Sequence, residues 1–151
     1  MKPNLFNNSI AEIAISYSSR IKASDRVQIT RSEHADSLFR EVFPSLEHKE
    51  YFFALYLDRS NRVLGSYMIS SGGITGTVVD PKLVFQAGLK ANATSVILAY
   101  NHPSGQTTPS EADISLTKKL VNAGNILEMP VLDHLIIAQQ GYKSFADDGL
   151  L

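Results

Sequence analysis

The residues best suited to chemistry fall in one stretch, Asn101-His102-Pro103-Ser104-Gly105-Gln106-Thr107-Thr108-Pro109-Ser110-Glu111-Ala112-Asp113. It brings an imidazole, several hydroxyls and a carboxylate into a segment rich in turn residues. An apolar run, Ser95-Val96-Ile97-Leu98-Ala99, leads into it and reads as a buried strand. A helical pattern, Ile114, Leu116, Thr117, Leu120 and Val121, leads out of it. Loops that follow strands are where α/β proteins usually place their reactive groups. The chain has no cysteine, so disulfides and thiol catalysis are excluded, and any metal must be held by His, Asp, Glu or Tyr. Ser104 lacks the Gly-x-Ser-x-Gly surroundings of a hydrolase nucleophile and reads as a turn hydroxyl. Ser110 and Asp113 also have a purely structural explanation. A serine just before a helix can cap it, and a carboxylate three residues later favours the positive end of that helix. The two explanations are compatible, because such a cap would aim Asp113 towards the strand end from which His102 emerges.

These residues resemble the JAMM (MPN-domain) metalloprotease-type family, in its bacterial RadC-like branch. The family pattern is a distant Glu, then His-x-His, seven residues, Ser, two residues, Asp. His102 falls on the second His, Ser110 on the Ser and Asp113 on the Asp. The RadC-like branch is marked further by Asn-His-Pro-Ser-Gly followed by Pro-Ser-x-x-Asp, present here as Asn101 to Gly105 and as Pro109-Ser110-Glu111-Ala112-Asp113. Gly76-Thr77-Val78, Asp80-Pro81-Lys82, Val131-Leu132-Asp133-His134 and Ser144-Phe145 extend the resemblance towards the carboxyl end. Two places depart from the pattern. The His-Pro-Arg-Glu stretch of many RadC-like chains is Asp80-Pro81-Lys82-Leu83, and the first His of His-x-His is Tyr100.

The resemblance implies an α/β fold: one JAMM/MPN-type (cytidine deaminase-like) domain with a mixed sheet flanked by helices in three layers. It also implies a zinc metallopeptidase or isopeptidase-type hydrolase using metal-activated water. His102 and Asp113 would be metal ligands, with Tyr100 in the remaining ligand place. Glu50, matching the family's Glu-x-Phe as Glu50-Tyr51-Phe52, would be the general base, with Glu47 as fallback. Ser110 would donate to the oxyanion. In that chemistry Zn²⁺ lowers the pKa of its water towards ~7, and a carboxylate moves the proton. Tyr100 works against it, since a phenol binds metal well only after losing a proton near pKa ~10. The competing reading is a metal-poor, non-catalytic MPN-type scaffold that binds protein or nucleic acid. The expected partner is a peptide or protein. RadC-like proteins have long carried a DNA-repair label, yet a net charge of −1 lends no support to non-specific nucleic-acid binding.

Length and patterning set the frame that must position these groups. The chain of 151 residues suits one domain. With 44% hydrophobic and 19% charged residues it has an ordinary globular composition. No apolar run approaches the ~20 residues of a membrane span and the amino end has no signal-like core, so a cytoplasmic protein is expected. Residues 1–29 read as a polar arm, loose over 1–8 and with a possible edge strand at Ile10, Ile13, Ile15 and Tyr17; residues 30–151 form the domain. A helix is predicted over 33–43, capped by Ser32. A hairpin follows, with strands at 51–58 and 63–69. The glycine-rich 70–77 lacks both phosphate-binding signatures and reads as a rim that could pair with an extended peptide. A helix opens at Asp80-Pro81. Another runs over 110–123 and is stopped by Gly124-Asn125. Strands are predicted over 131–138, where His134 reads as a hydrogen-bonded core histidine, and over 142–145.

Overall fold

The computed structural model describes residues 9–72 and 78–151. The looseness expected for residues 1–8 and most of the glycine-rich rim, 73–77, lie outside these described residues. The order of elements is α1 (Ser32–Val42), β1 (Tyr51–Leu57), β2 (Val63–Ser71), α2 (Pro81–Lys90), β3 (Ser95–Asn101), α3 (Glu111–Ile126), β4 (Val131–Ala138) and β5 (Gly141–Ser144). The strands form one mixed sheet in the order β2-β1-β3-β4-β5. β1 lies antiparallel to both β2 and β3, β3 runs parallel to β4, and β4 turns back into β5.

Every residue of β1 and β3 is buried, and β4 is buried except at Leu132. That is why these segments read as continuous apolar runs: both sheet faces are covered. On one face Phe52, Ala54, Tyr56, Leu98 and Ile136 pack with Val84 and Phe85 of α2 and Leu120 of α3. On the other, Phe53, Leu55, Ile97, Leu135 and Ile137 pack with Ala35 and Phe39 of α1. The three-layer α/β architecture is therefore as expected. Among the described residues, no helix is long and apolar enough to cross a membrane.

Local chemistry fixes the helix ends. Asp80 caps α2 by accepting from the Lys82 amide at 2.9 Å, with Pro81 in the first turn. α2 and α3 end alike. Asn92 and Glu128 take left-handed backbone conformations, with φ of 55° each. The amide three residues past each helix bonds back to a glycine carbonyl, Ala93 to Gly88 at 2.9 Å and Met129 to Gly124 at 2.8 Å. Gly124 therefore does not stop α3, which runs on to Ile126. It is required because a Cβ there would lie 2.5 Å from the Met129 carbonyl oxygen.

Two further expectations need correction. Ser32 does not cap α1. Arg31 holds the cap position without a side-chain bond, and the Ser32 hydroxyl instead meets Tyr142 and Asp147 near the chain's end. The alternation at Ile10, Ile13, Ile15 and Tyr17 does not become a strand: residues 10–17 have no ladder partner, and Ile10, Ile13 and Ile15 are exposed, whereas the arm's far end does reach the sheet, Gln28 bridging Arg62 and Ile29 being buried. The Tyr17 ring lies beside Gly65 of β2, and its phenol donates to the Leu64 carbonyl at 2.8 Å. Alternation gives amphipathicity, but a strand also needs a neighbour with free backbone groups.

Candidate functional site

β3 and the residue that follows it bring two side chains to the α3 face of the sheet. Tyr100 and His102 are two residues apart and so point the same way, their rings 4.9 Å apart. Asn101 between them points to the opposite face. The ring of Tyr100 stacks on that of its register partner Phe52, with centroids 6.2 Å apart. Beyond β3 the chain turns at Gly105, whose φ of 87° suits glycine. The turn returns the Gln106 carbonyl to His102 Nδ1 at 2.6 Å. A carbonyl can only accept, so Nδ1 carries a proton and, in the singly protonated ring, the Nε2 lone pair faces outward. Ser104 accepts from the Gln106 amide at 3.5 Å and acts as a turn hydroxyl.

α3 begins directly over this strand end. The Ser110 hydroxyl accepts from the Asp113 amide at 3.1 Å, and the Asp113 carboxylate accepts from the Ser110 amide at 2.8 Å. This reciprocal cap fixes the aspartate. Its Oδ2 stands 3.8 Å from His102 Nε2, and both side chains are largely shielded from solvent.

Tyr100 is buried, and its phenol oxygen has no hydrogen-bond partner. Burial drives its pKa far above the usual phenol value; Asp113, near enough to draw the phenol's proton towards it though outside normal hydrogen-bond geometry, pushes the same way, as does the charge of Glu50. The phenol is therefore neutral. Glu50 is half-buried and sits just before β1. Its backbone carbonyl accepts from the Gly72 amide at 2.9 Å, and its charge reaches the Tyr100 phenol. The fallback Glu47 is exposed. Tyr100, His102, Ser110 and Asp113 thus come together, with Glu50 close enough for its charge to act on the phenol.

Two supporting groups were not legible as such. Asn101, fully buried, accepts from the Tyr51 amide at 2.7 Å and donates to the Leu46 and Lys49 carbonyls at 3.0 and 2.9 Å. It binds the irregular segment that carries Glu50 to the strand that carries His102. The signal was a carboxamide flanked by two site residues in a strand. Thr117 was missed as well. Its hydroxyl donates to the Asp113 carbonyl at 2.7 Å and meets His134 Nδ1 at 2.7 Å. His134 is the hydrogen-bonded core histidine expected, but its Nε2 is left without a partner. Complete burial pushes its pKa down to about 3, against a small opposing pull from Asp113.

A catalytic zinc site takes three protein ligands and one open position. Among the described residues no three His, Asp or Glu side chains converge in a way that could hold a metal ion. His102 and Asp113 supply two donors, and the third place holds a phenol that its surroundings keep protonated. The residues present do not fit a resident catalytic zinc.

A family model described as "RadC-like JAB domain" matches residues 29–150. Among curated proteins, a "UPF0758 protein" of Flavobacterium johnsoniae is 46% identical over 123 residues, covering 82% of this chain and 53% of that protein. One from Geotalea uraniireducens is 40% identical over 119 residues, covering 79% and 50%. One from Methanosarcina mazei is 41% identical over 112 residues, covering 73% and 49%. The chain spans about half the length of these relatives.

Proposed function

The chain belongs to the RadC-like JAB domain family, and from that premise we propose that it is a metal-poor binding domain, which takes a protein segment at the His102–Asp113 site without a resident catalytic zinc. One observation supports this: the Tyr100 phenol, at the position that the resemblance aligns with a ligand histidine, is buried and held neutral. A protein partner suits the site better than nucleic acid. Asp113 and Glu50 would repel phosphates, and the chain's net charge of −1 offers no general attraction for them.

The test is metal content after purification without chelator. The parent should carry far less than one zinc per chain and should not turn over fluorogenic peptide or isopeptide amides. Tyr100→His, which completes the donor set, should raise the zinc content. A full zinc complement in both proteins would overturn the reading.

A second reading, the zinc-dependent metallopeptidase, is favoured by a specific feature. The Nδ1–H of His102 is anchored on a carbonyl, leaving Nε2 free towards Asp113, which is how metal-binding histidines are commonly oriented. In that reading Glu50 and Ser110 keep the base and oxyanion-donor roles implied by the resemblance, and the same metal assay separates the two.

A further inference from the structure

His102 Nε2 and Asp113 Oδ2 face each other across 3.8 Å. Nδ1 donates to the Gln106 carbonyl, so in the singly protonated ring both facing atoms are acceptors. The gap is too long for a direct hydrogen bond and suits a shared donor. The Tyr100 oxygen adds a third group. It is buried, makes no hydrogen bond of normal geometry, and lies beside Asp113, leaving its oxygen lone pairs free to accept. The nearest backbone donors do not compete, because the Ser110 and Asp113 amides are consumed in their reciprocal cap. Around one small volume the chain therefore presents an imidazole lone pair, a carboxylate, a neutral phenol oxygen and, from the β1 side, the charge of Glu50.

The geometry points to a seat for a primary alkylammonium group, the side chain of a lysine on a partner protein. An ammonium carries three N–H donors, no acceptor and one positive charge, the complement of this set. It can use the Tyr100 oxygen as it stands, whereas zinc would need the phenolate. An anion would meet only acceptors. The inference rests on the metal-poor reading above and names what the site takes.

The probe is Nα-acetyl-lysine methylamide, titrated at about pH 8, where free imidazole is neutral. The His102 ring signals are followed by NMR and assigned with His102→Gln. Three parallel titrations use the norleucine analogue, which has the same chain without the ammonium; alaninamide, which offers an α-ammonium; and zinc chloride alone. The lysine probe should give a saturable shift in the millimolar range that the norleucine analogue does not give. Asp113→Asn, which can still accept from the Ser110 amide, should weaken it by about tenfold or more. Glu50→Gln should weaken it less, and reads the site independently if Asp113→Asn folds poorly. Saturation by alaninamide in place of the lysine probe also supports an ammonium seat, with an N-terminal amine as its source. Equal shifts from the norleucine analogue, no saturation with either amine, or full binding by both variants would overturn the seat. Stoichiometric zinc uptake at micromolar concentration would overturn the metal-poor reading instead, whatever the amines do.

Discussion

The Asn101 carboxamide oxygen accepts a hydrogen bond from the Tyr51 amide at 2.7 Å, so the strand carrying His102 and the start of the strand following Glu50 are joined by a side chain where backbone pairing has ended. The same carboxamide holds the Leu46 and Lys49 carbonyls. Its removal leaves backbone groups unpaired in a buried place. Asn101→Ala should cost about 2–4 kcal/mol in urea unfolding. It should also make the 44–50 segment more susceptible to limited proteolysis. A variant as stable and as protease-resistant as the parent would show that this segment is held by other means.

Tyr100 gives a prediction of opposite character. A buried hydroxyl without a partner is a desolvation cost that phenylalanine does not incur. Tyr100→Phe keeps the stack on Phe52 and should be neutral or stabilising by up to about 1 kcal/mol. A loss beyond that in thermal or urea unfolding would mean that the phenol has a strong partner, Asp113 being the nearest candidate.

What the sequence disclosed follows from the range of the forces involved. β1, β3 and β4 announce themselves because burial on both faces demands unbroken apolar runs. α2 and α3 do so because Asp80-Pro81 and Ser110-Glu111-Ala112-Asp113 are local caps whose partners lie within three residues. The candidate residues follow from the family resemblance; what local rules add is their placement, Ser110 and Asp113 capping one helix start and Tyr100 and His102 standing two residues apart along extended chain. Long-range uses of polar side chains were not legible. Ser32 has the local look of a cap but bonds Tyr142 and Asp147, over a hundred positions away. Asn101 looks like a turn residue and ties together two separate segments. Gly124 has the look of a helix stop, yet its role depends on the carbonyl of Met129 folding back over it.

His134 makes stability depend on acid in a calculable direction. Its folded pKa lies near 3 against 6.5 when unperturbed, so between those values the unfolded chain binds the extra proton. Stability from this group is complete above about pH 6.5 and declines as pH falls towards 3. The loss between pH 6.5 and 4 should be roughly 3 kcal/mol, at 1.36 kcal/mol per unit. His134→Phe leaves Thr117 still bonded to the Asp113 carbonyl and should flatten this part of the profile. Urea unfolding of both proteins across that range checks it, and parallel profiles would show that the acid sensitivity arises elsewhere.

The end of α3 offers a paired test in which neighbouring substitutions act in opposite directions. Glu128 adopts a φ of 55°, a conformation that costs a side-chain-bearing residue about 1 kcal/mol and glycine almost nothing. It is exposed, so little packing is lost on its replacement. Glu128→Gly should therefore stabilise by about 0.5 kcal/mol, the gain being trimmed by the greater freedom of glycine in the unfolded chain. Gly124 lies four residues earlier, and its added methyl would meet the Met129 carbonyl oxygen at 2.5 Å, a backbone atom that cannot swing aside as a side chain would. Gly124→Ala should destabilise by about 2 kcal/mol or more despite alanine's better helix propensity. If thermal unfolding gave both changes the same sign, the turn from α3 into β4 would not be built as described, and with it would go the account of how Thr117 and His134 are brought together behind the site.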